Sequence, residues 1–174
     1  MAKKKEEKDI ISQDLLEAVE SNSSVLEKTV NEIIDVYSNE LDEYMKFVRG
    51  ILRNDEQPPT DEELDDFALN LSTLIYFTSV GCEQMGIRDD LSRAAYKEAY
   101  NVARSLLDKG TVADKNVQAE IDAQAEHVVN IVYSKAYKIL KAKVESAQEV
   151  LASVKKVMSR RTTEMEMSRM SVNK

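Results

Sequence analysis

The sequence is poor in the residues that bend or cross-link a chain. Of 174 residues only four are Gly, two are Pro and one is Cys, and there is no Trp. So few turn formers exclude a fold built from many β-hairpins. The lone Cys82 makes no intramolecular disulfide and points to a reducing cytoplasm. No stretch approaches the roughly 18 apolar residues of a membrane span. The opening MAKKKEEKD has no apolar run behind its lysines, as a secretory signal would need. A cytoplasmic protein is expected.

Candidates for chemistry fail on missing partners. Glycines at positions 50, 81, 86 and 110 are too scattered for a phosphate-cradling loop. The sole His127 follows Glu126 but has Gln124 three residues before it, so the Glu-x-x-His pairs of di-iron bundles are missing. It reads as a helix histidine rather than a metal ligand. Cys82 lies on the apolar stripe of its helix, where a small buried hydrophobe is its expected role rather than a nucleophile. The run Asp61, Glu62, Glu63, Asp65, Asp66 lacks the alternating ligands and central glycine of an EF-hand. No catalytic residue, metal site or cofactor is expected, and hence no enzyme.

What is present is helical periodicity. The expected organisation is a disordered start over 1–9, a single all-α domain over 10–163 and a frayed tail over 164–174. Five helices are expected, at about 12–20, 24–53, 61–85, 90–109 and 113–163. Ser24 with Glu27, and Thr60 with Glu63, have the form of capping boxes, in which each side chain satisfies a free N–H of the other at a helix start. Leu26, Val30, Ile33, Tyr37, Leu41, Tyr44, Val48 and Ile51 keep one face apolar by steps of three and four, until Pro58 and Pro59 end the helix. Gly86 is expected to cap the helix that begins at Thr60, which should fold back as a hairpin. Asp89 or Asp90 then opens a helix with two apolar faces, which Lys109-Gly110-Thr111 closes. The last helix carries Val132, Ala136, Leu140, Val144, Ala147, Leu151, Val154 and Met158, and its length predicts that part of this stripe meets another helix or another copy of the protein. Leu140, Val144, Leu151, Val154 and Met158 are the expected oligomer contacts.

Charge is distributed unevenly. The net charge is −8, but residues 133–174 hold ten basic residues against four acids, a net +6 that leaves −14 for residues 1–132. Such asymmetry flags a surface for polyanions. Lys135, Lys138, Lys141, Lys143, Lys155, Lys156, Arg160 and Arg161 are the candidate phosphate contacts. Tyr133 and Tyr137, one turn apart among lysines, are candidate platforms for stacked bases or else core-edge residues. Glu145 and Glu149 fall on the outer side with Lys138 and Lys156, so an ordinary solvated face is the competing reading.

The run from Ala119 to Arg161, in which Tyr137 and Leu140 lead to Val150-Leu151-Ala152-Ser153-Val154-Lys155 and a terminal basic cluster, resembles the C-terminal part of the UvsY-type recombination mediators of tailed phages. The resemblance covers the last third to half of the chain. It implies an oligomeric helical protein in the host bacterial cytoplasm that binds single-stranded DNA, contacts the recombinase and the single-strand-binding protein, and helps the first displace the second. Lys155, Lys156, Arg160 and Arg161 would be the DNA-facing cluster. The acidic N-terminal half departs from the family's basic N-terminal stretch. The alternatives are a coiled-coil scaffold or assembly protein with no nucleic-acid binding, and an acidic adaptor whose N-terminal half grips a basic partner protein.

Overall fold

The computed structural model describes residues 2–52 and 58–172, with side chains placed for 23–52 and 58–171. Among these residues the chain is all-α: α1 Ala2–Leu52, α2 Asp61–Leu106, α3 Val112–Asp122 and α4 Gln124–Val172. The three long helices form an up-down-up bundle in which α2 runs antiparallel to α1 and α4. α3 packs on the far end of α2.

Three apolar layers fill the bundle. Val30 and Ile34 of α1 meet Cys82 and Met85 of α2 and Val132, Ala136 and Leu140 of α4. Leu41 meets Leu71, Ile75, Val144 and Ala147 in the middle layer. Val48, Leu64, Phe67 and Val154 close the third. The rising numbers on α1 and α4 and falling numbers on α2 are the direct signature of that topology. Each fully buried Leu removed from water stabilises by about 2 kcal/mol.

Several boundaries differ from expectation, each for a local reason. Helices expected at 12–20 and 24–53 are one, because Ser21-Asn22-Ser23-Ser24 contains neither Gly nor Pro and polar side chains alone do not stop the backbone ladder. The expected cap at Ser24 is therefore a helix interior. The disordered start expected over 1–9 belongs to the stretch whose side chains lie outside the described residues, and α1 begins at Ala2.

Gly86 does not end α2 either. A Cβ there would lie 3.2 Å from the ring of Tyr137, so the glycine serves close packing between α2 and α4. At Gly81 the approach is tighter, 2.5 Å to Cδ1 of Tyr37 on α1. Helices expected at 61–85 and 90–109 are consequently a single 46-residue helix, about 69 Å long.

The Thr60–Glu63 box forms as expected, with Glu63 N–H donating to Thr60 Oγ1 at 3.2 Å and Thr60 N–H to Glu63 Oε2 at 2.7 Å. A second box, Thr111 with Asp114, opens α3 after Gly110, whose φ of +109° only glycine adopts readily. The helix expected over 113–163 breaks at Ala123, which no Gly or Pro announces. Its continuation α4 runs through the tail expected to fray, to Val172.

Beyond the apolar layers, α2 and α4 are joined by polar side chains. The buried Asp89 accepts from Arg93 at 2.7 Å. Asn130 of α4 reaches across to Ser92 Oγ at 3.1 Å and to Asp89 at 3.4 Å. His127 stacks on Tyr96 with ring centroids 4.7 Å apart.

Candidate nucleic-acid interface

The stripe of α4 that the sequence offers as an oligomer contact is consumed within one chain. Leu140, Val144 and Val154 are buried in the three layers, and Leu151 and Met158 pack half-buried against them. Residues of a third helix in a bundle bury the same periodic face that a coiled coil would, so periodicity alone does not separate the two. Within one chain they serve as bundle core, which accounts for the stripe without a second copy.

The tyrosines are likewise core edge. Tyr133 and Tyr137 pack against the first layer, and the Tyr137 ring lies over Gly86, so their faces are occupied by protein. Neither is a free platform for bases.

Two of the eight cations tie helices together. Lys143 pairs with Asp42 of α1 and donates to Ser38 Oγ at 3.1 Å, while Ser38 donates in turn to Asp42. Arg161 donates to the Pro59 carbonyl at 2.7 Å and to Asp61 at 2.9 Å, anchoring α4 at the α1–α2 connection. These partly screened pairs set register more than they stabilise. Arg160 pairs with Glu164 one turn on, at 3.6 Å.

The remaining lysines diverge around α4. Lys141 lines the α2–α4 groove beside Glu83 and Glu145, an acidic neighbourhood. Lys155 and Lys156 are exposed. Lys138 and Lys156, 18 residues apart, point the same way after five full turns, about 27 Å apart along the axis. Glu145 and Glu149 lie between them on that side.

Lys135 and Lys138 have company of their own sign. They border the groove between α1 and α4, which α1 lines with Met45, Lys46, Val48, Arg49 and Leu52, and α4 with Ile139, Ala142, Ser146 and Val150. Five cations therefore surround it: Lys46, Arg49, Lys135, Lys138 and Lys143. The acid among its lining residues, Asp42, is already paired with Lys143. From Lys135 to Val150 the groove runs about 22 Å along α4. Lys46 and Arg49 escaped the sequence reading because they sit in an acidic half of the chain. The signal that finds them is their spacing of three on the flank of the α1 stripe, next to Met45 and Val48.

Burial pushes the Cys82 thiol up, and Glu83 and Glu145 add to this against the opposing pull of Lys141. A protonated thiol in the apolar first layer is an inert core group. Among the described residues no group of three His, Cys, Asp or Glu side chains converges as a metal cage would require, and no helix is long and apolar enough to cross a membrane. No family model matches the chain, and no curated protein or solved structure matches it either.

Proposed function

We propose that this chain is a non-enzymatic accessory protein of phage DNA recombination or replication, which binds single-stranded DNA without sequence preference along the α1–α4 groove. The observation that supports this reading is the convergence of Lys46, Arg49, Lys135 and Lys138 on one apolar-floored groove, where Asp42, the acid among the described lining residues, is neutralised by Lys143. Cations from two helices track a phosphate backbone, and the strip of Met45, Ile139 and Ala142 between them accepts sugars and base edges. Its long cations are spaced along the groove to follow phosphates and no groove-reading helix module is built around them, so binding is expected to be sequence-neutral and salt-sensitive. By the resemblance of α4 to the UvsY-type mediators, the partners would be a recombinase and a single-strand-binding protein, the DNA site serving to load the first at the expense of the second.

Fluorescence anisotropy with a short oligo-dT at low and moderate salt tests the reading. Binding is expected at low salt, with the log of affinity falling by about 0.7 per phosphate neutralised for each log unit of salt. Lys46→Glu with Lys138→Glu should abolish it, and Lys155→Glu with Lys156→Glu should weaken it far less. Absence of binding by the unaltered protein even at low salt defeats the proposal.

A second reading, a self-associating scaffold or assembly protein without nucleic-acid binding, is favoured by one observation: the outer face of α2 is apolar and exposed. It predicts an assembled protein for which both pairs of reversals leave function unchanged.

A further inference from the structure

Helix α2 has two apolar faces. One faces the bundle through Leu64, Leu71, Met85 and their neighbours, all buried. The other, on the opposite side, consists of Leu69, Tyr76, Val80, Ile87 and Leu91, each between 43% and 68% exposed. Aliphatic and aromatic side chains scattered singly over a surface need no explanation, but five in one line along a helix do.

Their spacing says what covers them. With Thr73 and Gln84 filling the gaps, the line steps by 4, 3, 4, 4, 3 and 4 residues from Leu69 to Leu91. The sequence of steps is the same read from either end, with Val80 at its centre. An antiparallel two-fold interface demands that property, because the patch must complement itself when turned end over end. The steps also form two 11-residue repeats, close to the 3.6-residue period of a straight helix, so the line stays on one face as two helices packed side by side require. Antiparallel pairing about Val80 sets Leu69 against Leu91, Thr73 against Ile87 and Tyr76 against Gln84.

Charge selects the direction. The first two turns of α2 carry Asp61, Glu62, Glu63, Asp65 and Asp66 and no base. A parallel pair would place these acids against their own copies. The antiparallel pair places them against residues 94–99, where Lys97 lies opposite the acidic turns. Only Glu98 is unfavourable there, since it falls opposite Glu62 beyond the last apolar pair and marks where the seam stops.

We propose that this chain forms a two-fold homodimer through the outer face of α2, the two helices antiparallel and crossing at Val80. The apolar contact extends over about 33 Å of each helix, enough for an interface of the standard size, near 800 Å² per partner. Because α2 lies between this face and the groove of α1 and α4, the dimer leaves both grooves open on its two outer sides. The dimer stands independently of any DNA site.

The test uses the full chain. Sedimentation equilibrium at micromolar concentration should give twice the 19.7 kDa mass of one chain. Val80→Glu should halve that mass while far-ultraviolet circular dichroism stays unchanged, because Val80 takes no part in the buried layers. In a Cys82→Ala background, oxidised Val80→Cys should cross-link to itself, and Leu69→Cys should cross-link to Leu91→Cys when the two are mixed but not to itself. A monomeric unaltered protein overturns the proposal. So does a dimer that survives Val80→Glu, or Leu69→Cys cross-linking to itself, which would mean a parallel pair.

Discussion

The two ends of the α2–α4 pairing are built differently. Toward the α1–α2 connection, residues 64–85 of α2 face 132–154 of α4 and 30–48 of α1 across three layers of aliphatic side chains. Toward Gly110, the same two helices are joined by Asn130 donating to Asp89 and Ser92, with Arg93 holding Asp89 from within α2, and by Tyr96 stacked on His127. The aliphatic end tolerates many near-equivalent packings and so supplies stability. The polar end permits few arrangements of donors and acceptors, and so fixes which residue of α4 stands beside which residue of α2.

The largest effect should come from the aliphatic end. Leu140→Ala empties a site with no solvent exposure and should cost about 3 kcal/mol, read as a lowered denaturation midpoint. If Leu140 served an oligomer instead, the mass would change and the midpoint of the monomer would not. At the polar end, Asn130→Ala strips Asp89 and Ser92 of a donor and should cost about 1–2 kcal/mol in the same measurement. Recovery by Asn130→Asp would contradict the donor role, since a carboxylate has none to offer.

Two glycines give a smaller contrast with opposite signs. Gly81→Ala gains helix propensity but drives a methyl into Tyr37, and should be destabilising by about 1 kcal/mol. Gly50→Ala meets nothing within 4 Å and should stabilise by somewhat under 1 kcal/mol. Equal effects at the two sites would mean that α1 does not press on α2 at Tyr37.

The smallest effects belong to the caps. Backbone and hydroxyl donation from Thr60 hold the Glu63 carboxyl below its usual range, and hydroxyl and backbone donation from Thr111 do the same for Asp114. Carboxylates depressed in the folded state add stability above their unfolded pKa and lose it as pH falls through the folded value. Stability at neutral pH should therefore decline on acidification below the ordinary carboxylate range, and Thr111→Ala should flatten that decline in urea titrations at a series of pH values.

Much of the bundle was legible in the sequence, and the failures share a cause. The stripes on α1 and α4 and the Thr60 box follow from local rules, and they hold; the stop expected from Asn54 to Pro59 falls mostly on residues 53–57, outside the described residues. Gly86 was misread because a glycine inside a helix is ambiguous until the ring that fills its place, Tyr137, is known. Leu140 and Val154 were read as oligomer contacts because a seam buried against a neighbouring helix and one buried against a second chain have the same period. The groove needs Lys46 and Arg49 from α1 beside Lys135 and Lys138 from α4, some ninety residues apart in sequence, which no local pattern joins. The outer face of α2 was legible in part, since the helix expected at 90–109 already showed two apolar faces, but its symmetry appears only once the helix is known to run unbroken through Gly86.

The turn at Gly110 bears on the order in which the protein assembles. It returns the chain directly from α2 toward α3 and α4, so the contacts between the end of α2 and the start of α4 close a short loop and form early. Those between α1 and α4 join residues about a hundred positions apart and carry a larger closure entropy. The hairpin of α1 and α2, where Val48 meets Leu64 and Phe67, closes a shorter loop still, so the α1–α4 contacts, and with them the basic groove, should be completed last. Cross-linking between α1 and α4 during refolding, for example across Asp42 and Lys143, would be acquired after the contacts within each helical hairpin.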